Sequence, residues 1–282
     1  MKQIAIQTSV HNQANQYVLG HSEQELERLA VQARLIDPIT RRFFLEAGLA
    51  PGMRVLDVGS GAGDVAFLAA EIVGADGEVI GIDRAGVAVK TATERARDKG
   101  LSNVTFIESD PLDARFEPKF DAIVGRYVLM FQPDPVSILR KLIQHLRPGG
   151  IIAFHEPYLY AAWSFPPVPT YDLLCRRFAE TMSRSGADPR MGAKLHSVFL
   201  SAGLPAPKIH MEAVVGNGGN SSDQVHLMTD VARTLLPEME RLGVATAGEV
   251  AIETLADRIC AEMIANGSVI VGRAEIGAWS RI

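Results

Sequence analysis

A glycine-rich turn is the part of this sequence most able to do chemistry. The segment VLDVGSGAG at positions 55–63 ends an apolar run with three glycines spaced two apart, and an amphipathic stretch follows from Asp64 to Val73. Glycines between a strand and a helix let the backbone approach a ligand more closely than any side chain would permit. We therefore expect a nucleotide-type ligand at this turn.

The spacing of the small residues separates two kinds of nucleotide site. A dinucleotide fingerprint, G-x-G-x-x-G/A, would place its third small residue at position 64, which is Asp64. The third glycine is instead Gly63, and Asp57 stands two residues before Gly59. This D-x-G-x-G-x-G form resembles motif I of the class I S-adenosylmethionine (SAM) dependent methyltransferases. The resemblance implies that the turn lies under the methionine part of SAM and that Asp57 helps to hold its amino group.

Further segments, from about Tyr17 to His155, match this family in order. They are a second strand at 78–83, a third strand at 104–108 followed by Ser109-Asp110-Pro111, a fourth strand at 120–125, and the turn LRPGGI at 146–151. A carboxylate at the tip of strand 2, here Asp83, can accept hydrogen bonds from a ribose diol. The resemblance also implies an adenine contact at Asp110, and a contact between Tyr17 and SAM like that of the ubiquinone and menaquinone C-methylating group.

The resemblance thus implies a set of cofactor-binding residues. They are Tyr17, Asp57, Gly59, Ser60, Gly61, Gly63, Asp83, Arg84, Asp110, Pro111 and Arg126. Structural alternatives stay open for several of them. The glycines could serve helix–strand packing, Asp57 and Asp83 could cap local structure, Asp110 before Pro111 is also turn chemistry, and Arg126 could form an internal salt bridge.

Candidate catalytic residues follow the fifth strand, at the edge where open α/β folds place ligands. His155 could take a proton from a hydroxyl, and Glu156 could steady a cation or remove a proton from carbon. The alternative is a satisfied hydrogen-bonding pair at the strand end. The nearby aromatic residues could line a substrate pocket or pack a lid; they are Tyr158, Tyr160, Trp163, Phe165 and Tyr171.

Composition narrows the choice of partners. The 282 residues carry a net charge of −5 with interspersed signs, which disfavours nucleic acid and anionic membranes. Cys175 and Cys260 match no metal or disulfide spacing. We therefore expect no bound metal. No apolar run is long enough to span a membrane, so we also expect no membrane span and a cytoplasmic location. A homodimer stays open.

Alternating strands and helices between Arg54 and Phe154 predict an α/β, doubly wound, mostly parallel sheet. The end of the chain, over 268–281, predicts a final strand. The resemblance implies seven strands, with this last one antiparallel at the sheet edge. We predict an N-terminal arm with two lid helices over residues 1–50. The capping-box pattern Ser22-Glu23-Gln24-Glu25 should open the first, and Asp37-Pro38 the second. A methyltransferase domain over 51–282 follows, with helical insertions near 157–190 and 221–266.

The sequence therefore predicts a SAM-dependent methyltransferase acting on a small, partly apolar metabolite under a helical lid. Methyl transfer from a sulfonium is an in-line displacement that alignment in a dry pocket can promote without a metal. The acceptor atom, oxygen, carbon or nitrogen, stays open. The alternative is a SAM-binding regulatory or interaction protein without turnover. A nicotinamide oxidoreductase is disfavoured by Asp57 and Asp64.

Overall fold

The computed structural model describes residues 23–113, 115–117, 119–218 and 222–282, and side chains from residue 32 onward except that of residue 222. Helices and strands alternate through the first half. These elements are α1 (Glu23–Ala47), β1 (Arg54–Val58), α2 (Asp64–Val73), β2 (Glu78–Asp83), α3 (Gly86–Asp98), β3 (Val104–Glu108), β4 (Phe120–Arg126), α4 (Pro135–Leu142) and β5 (Leu146–Tyr158).

The second half adds more helices and short strands. They are β6 (Trp163–Phe165), α5 (Pro169–Arg184), α6 (Met191–Ser201), β7 (Lys208–Glu212), β8 (Val215–Asn217), α7 (Ser222–Arg241), α8 (Ala247–Val250), α9 (Ile252–Asn266), β9 (Val269–Val271) and β10 (Ala274–Arg281). Single 3-10 turns, at 129–131, 143–145 and 159–161, join some of them.

The predicted doubly wound sheet is confirmed. Seven strands lie in the order β3-β2-β1-β4-β5-β10-β7. The first five pair in parallel, and β10 runs antiparallel to both β5 and β7. The prediction that the last strand lies at the edge is wrong. It lies between β5 and β7, where both of its backbone edges find partners.

Both faces of the sheet are covered because its strands alternate apolar side chains between two cores. In β1, Val55 joins the cluster that contains Phe43 of α1 and the buried face of α2, whereas Leu56 joins the opposite cluster with α4 to α7. Successive strand residues point to opposite faces, so consecutive apolar residues indicate a sheet buried on both sides.

Two other expectations about the elements are corrected. Pro38 does not open a second helix, because α1 continues through it from Glu23 to Ala47. The proline removes one N–H donor from the helix, and buried apolar residues on either side, including Ile36 and Ile39, keep the helix on the sheet. The final strand predicted over 268–281 is divided into β9 and β10, and β9 joins a separate three-stranded sheet in the order β6-β9-β8.

Candidate functional site

The glycine turn joins β1 to α2 with the backbone open towards solvent. Gly59, Gly61 and Gly63 all have positive φ, at 65°, 52° and 94°. A Cβ added to Gly59 would lie 2.8 Å from Val128 Cγ2, so this residue lets the segment after β4 pack on the turn. A Cβ added to Gly61 would meet no atom within 4 Å. Gly61 therefore borders open space in which a ligand could contact the backbone directly.

Asp57, at the end of β1, faces this turn as a buried acid without a satisfied partner. Its exposed fraction is 1%, and neither carboxylate oxygen has a hydrogen-bond partner within the described residues. Burial raises the pKa of Asp57 well above its usual value, although the charge of Arg126 and the nearby backbone N–H of Ala66 act in the opposite direction. The buried Ser60 hydroxyl is likewise without a partner among the described residues. A bound cationic or hydrogen-donating group would satisfy both.

Asp83 connects the turn to the tip of β2. One carboxylate oxygen accepts the Gly61 N–H at 2.9 Å, and the other accepts the Ala85 N–H at 2.8 Å. Each oxygen keeps further acceptor capacity. The cap expected as an alternative for Asp83 is present, and the same geometry leaves the side chain able to accept bonds from a diol.

Arg84 and Asp110 pair across the ends of β2 and β3. The Arg84 Nε atom lies 2.8 Å from Asp110 Oδ2. Asp110 also accepts the Leu112 N–H at 2.8 Å, which is the turn chemistry foreseen for an aspartate before Pro111. Pro111 itself is buried. Arg84 and Asp110 therefore lie at the same corner of the sheet as Asp83.

Arg126 forms the internal salt bridge that the sequence left open. Its Nη1 lies 2.6 Å from Asp37 Oδ1 and donates to Thr40 Oγ1 at 3.0 Å, so the end of β4 is tied to α1. Burial lowers the pKa of Arg126, but Asp37, Tyr127 and Asp64 together outweigh it and the net direction is upward. A direct contact between Arg126 and a cofactor stays a prediction.

His155 and Glu156 lie side by side in β5 but do not bond to each other. His155 is fully buried, with Nε2 2.9 Å from Glu275 Oε2 and Nδ1 3.0 Å from the Thr40 hydroxyl. Burial lowers the pKa of His155, so the ring is neutral. Because the pKa of Glu275 is low, we assign the proton to Nε2 and the acceptor role to Nδ1.

Glu156 points to the other face of the sheet. Its carboxylate accepts the backbone N–H groups of Val128, Leu129 and Met130 at 2.8, 2.7 and 3.2 Å. Burial raises the pKa of Glu156 to about 8, while these three N–H groups act in the opposite direction. The contacts of both residues favour the structural alternative, and their catalytic roles stay predictions.

A buried polar cluster next to His155 was not foreseen from the sequence. Tyr127 donates its hydroxyl to Glu275 Oε2 at 2.8 Å and accepts from Arg273 Nη2 at 2.9 Å, while Arg273 Nε lies 2.9 Å from Glu275 Oε1. Burial raises the pKa of Glu275, but Arg273 and the bonds from His155 and Tyr127 hold it at about 2. The sequence held one signal for this cluster, because the charged residues Arg273 and Glu275 alternate with apolar residues at the start of β10.

Tyr127 itself holds an uncommon backbone conformation. Its φ is 56°, and its N–H donates to the His155 carbonyl at 2.9 Å. A non-glycine residue with positive φ is strained and persists where surrounding contacts fix it, which is frequent at functional sites. Since Val128 packs on Gly59, Tyr127 lies directly between the glycine turn and the polar cluster.

The polar cluster closes one end of an apolar cavity between α1, α5 and α7. The space open to water-sized solvent within it is about 60 Å³, and the volume reaches about 550 Å³ only when the open solvent at its mouth is included. Arg273 and Glu275 form the polar part of its wall, together with Gln224, whose side-chain oxygen is buried without a partner among the described residues. Its apolar lining includes Leu35, Ile36, Leu159, Tyr171, Cys175, Phe178, Leu227 and Met228. We call this space the α1–α7 cavity.

Three other predictions concern the N-terminal residues, metal binding and membrane-spanning helices. Tyr17 and the Ser22 cap lie outside the described residues. Within the described residues, no group of His, Cys, Asp or Glu is arranged to hold a metal ion. The helices described here include none with the length and apolar character needed to cross a bilayer.

Comparisons with known proteins agree on one family. A family model described as a methyltransferase domain matches residues 49–197. Aklanonic acid methyltransferase DauC of Streptomyces sp. (strain C5) is 34% identical over 165 residues, which cover 58% of this chain and 74% of DauC. The 2-phytyl-1,4-naphtoquinone methyltransferase of Synechococcus elongatus is 42% identical over 115 residues, covering 38% of this chain and 48% of that protein.

A solved structure extends the likeness of fold. The phosphoethanolamine N-methyltransferase 2 of Haemonchus contortus, in complex with S-adenosylhomocysteine, superposes with a TM-score of 0.52 at 17% identity. The match covers 91% of this chain and 52% of that one. At this identity the likeness concerns the fold alone.

Proposed function

This chain belongs to the methyltransferase family whose domain model matches residues 49–197, and we propose that it transfers a methyl group from SAM to a small, partly apolar acceptor. The observation that carries the proposal is the combination of Asp57 and Gly61 at one turn. The carboxylate of Asp57 is buried with no hydrogen-bond partner among the described residues, and four positions later the backbone of Gly61 borders open space. A ligand with a cationic amino group, such as the methionine part of SAM, would supply the missing donor.

Bound SAM would supply an electrophilic methyl group on a positively charged sulfur. The residues of this chain would hold it from two sides. Asp57 and the Ser60 hydroxyl would accept and donate at the amino-acid end, and the glycine turn would lie beneath. Asp83 would accept from the ribose hydroxyls, and Asp110, steadied by Arg84, would contact the adenine amino group.

The α1–α7 cavity is our candidate for the acceptor site. Its wall is mostly apolar, which suits a partly apolar molecule, and Arg273, Glu275 and Gln224 provide the few polar groups that would orient it. Tyr127 joins these polar groups to the segment that packs on Gly59. We propose that this arrangement aligns the acceptor with the donor, so that positioning supplies most of the catalysis.

We propose positioning roles for His155 and Glu156. His155 holds Glu275 and Thr40, and Glu156 holds the three N–H groups that follow Tyr127. His155 therefore fixes a residue in the wall of the proposed acceptor site, and Glu156 fixes the segment that packs on the glycine turn. The first 50 residues, including Tyr17, would form the lid, and α1 is joined to the site through Asp37 and Thr40. A cytoplasmic location and the absence of nucleic-acid binding stay predictions.

Calorimetry tests the cofactor and mass spectrometry tests the reaction. The full chain should bind SAM and S-adenosylhomocysteine and show no heat with NAD(H) at the same concentration. Asp57→Asn keeps the shape of the side chain and should weaken SAM at least about tenfold, since a charge-assisted bond is lost. Incubation with methyl-labelled SAM and an extract of apolar metabolites should give labelled products.

Three outcomes would contradict the proposal. Tighter binding of NAD than of SAM would contradict the proposal that SAM is the cofactor. An unchanged SAM affinity in Asp57→Asn would remove the role of this acid. SAM binding without any labelled product would support the regulatory alternative.

A further inference from the structure

The second sheet of the molecule carries an exposed apolar face. Trp163 and Phe165 are two residues apart in β6, so they point to the same side, and Val215 in β8 shares that side because both Val215 and Trp163 pair with Val271. Their exposed fractions are 50%, 68% and 58%. We call these three residues the outer face. Exposed apolar groups concentrated in one place mark a binding surface.

The opposite side of the same sheet is fully occupied. Ile270 in β9 is buried, and the Ser164 hydroxyl bonds to both carboxylate oxygens of Asp172 in α5 at 2.9 Å. The sheet is therefore held on the molecule by its inner side. On the outer side, Val271 lies between Trp163 and Val215 and is 9% exposed, whereas the three residues of the outer face are themselves exposed.

The outer face borders a second cavity that lies next to the proposed acceptor site. Trp163 also lines a second, solvent-open cavity together with Tyr160 and Arg176. That cavity shares three lining residues with the α1–α7 cavity, namely Leu159, Ala162 and Cys175. These three residues therefore form the wall that the two cavities share, and the second cavity lies between that wall and the outer face.

The rim of this second cavity has the composition of a bilayer interface. Tyr160 is 42% exposed, and the exposed guanidinium of Arg190 lies 4.6 Å from the centre of its ring. Arg176 is exposed beside Trp163, and the acid in the same cavity, Asp172, is engaged by Ser164. Tryptophan and tyrosine favour the headgroup level, and arginine can keep its charge there while its stem lies along apolar surface.

We propose that the outer face docks the protein on a lipid bilayer, from which an apolar acceptor enters the cavity. A protein partner or a second copy seated on this face would cover the mouth that Trp163 and Tyr160 border. A bilayer can cover the same face and also deliver an apolar solute through the mouth. Contact through apolar and aromatic side chains accords with the net charge of −5, because it needs no anionic lipid. The route of entry rests on the proposed function, whereas docking itself does not.

Vesicle binding tests the proposal without any turnover. The full chain should float with phosphatidylcholine vesicles, and its tryptophan emission should shift to shorter wavelength. Trp163 should report this shift, because Trp279 is 7% exposed and already buried. The double variant Trp163→Ser/Phe165→Ser should bind vesicles at least about tenfold more weakly, since two exposed aromatic groups no longer enter the lipid.

A matched control lies on the edge strand β7. Ile209 and Met211 are also two residues apart and exposed, at 48% and 63%. The double variant Ile209→Ser/Met211→Ser removes a comparable apolar pair from another surface and should bind vesicles like the wild type. S-adenosylhomocysteine binding, measured by calorimetry on each variant, should be unchanged and reports that the fold is intact.

The outcomes separate the two proposals. Failure of the wild type to bind vesicles, or an equal loss in both double variants, would overturn docking. A wild-type dimer that Trp163→Ser/Phe165→Ser converts to a monomer would overturn it in favour of a second copy. If vesicle binding fails while S-adenosylhomocysteine still binds and labelled product forms, docking falls and the methyltransferase proposal stands.

Discussion

The hydroxyl of Tyr127 lies 2.8 Å from Glu275 Oε2, and this bond joins the end of β4 to the start of β10. The two residues are 148 positions apart in the chain. Because Arg273 also donates to the Tyr127 hydroxyl, one phenol both donates and accepts inside a buried cluster. Removal of the Tyr127 hydroxyl therefore takes a hydrogen-bond partner from both Glu275 and Arg273.

Tyr127→Phe should lower the free energy of unfolding by about 1–3 kcal/mol, because the carboxylate of Glu275 and the guanidinium of Arg273 each lose a partner. Urea unfolding measures the change. Tyr160→Phe is the control, since Tyr160 is 42% exposed, and it should change stability by less than about 0.5 kcal/mol. Equal stability of the two variants would show that the Tyr127 hydroxyl contributes little.

Gly61→Ala should weaken S-adenosylhomocysteine by tenfold or more, measured by calorimetry. The new methyl group would project into the open space at the turn, and the alanine would be strained at φ 52°. Gly52→Ala separates the two effects, because Gly52 also has positive φ, at 80°, with no atom within 4 Å of an added Cβ. Each variant should lose about 1 kcal/mol of stability. Only Gly61→Ala should lose affinity, and a similar affinity in both would place the ligand elsewhere.

The raised pKa of Glu156 should make the free energy of unfolding fall as the pH rises. Burial raises its folded pKa from 4.5 to about 8, so between these values the folded state binds more protons than the unfolded state. This group's contribution is therefore fully present below pH 4.5 and is lost as the pH rises towards 8. In Glu156→Gln that titration is absent, so the unfolding free energy of the variant relative to wild type should rise over this interval.

Urea unfolding at several pH values measures this difference, with Glu94→Gln on the exposed side of α3 as the control. The Glu94 variant, changed at an exposed position, should stay within about 0.5 kcal/mol of wild type. A Glu156 variant whose unfolding free energy runs parallel to wild type would indicate that the three backbone N–H groups keep the folded pKa of Glu156 near its unfolded value.

His155→Ala should lower stability by about 1–3 kcal/mol, because Glu275 loses a buried donor and Thr40 loses a contact. His210→Ala is the control. His210 is exposed and pairs with Glu46 at 3.0 Å, so its loss should cost about 0–1 kcal/mol. A fall in turnover of about 10²–10⁴-fold in His155→Ala, with near wild-type stability and SAM affinity, would instead support general-base catalysis by His155.

The sequence predicted the glycine turn and the acids near it because their signal is local. Gly59, Gly61 and Gly63 stand between a strand and a helix, and Asp83 ends the next strand, so a short segment carries each feature. The continuation of α1 through Pro38 was not predicted, because tertiary burial outweighs the local preference for a break. The pairing of β6, β9 and β8 depends on contacts between distant segments, and so does the meeting of Tyr127 with Arg273 and Glu275.

The position of β10 has a consequence for the order in which the fold is completed on the ribosome. Among the described strands of the seven-stranded sheet, β7 pairs with β10 alone. Since β7 is synthesised earlier, none of these strands is available to pair with it until residues 274–281 emerge. A nascent chain halted before that point contains the glycine turn, Asp57 and Asp83 but lacks Glu275. We therefore expect the cofactor half of the molecule to form earlier in synthesis and the acceptor half only after residues 274–281 have emerged.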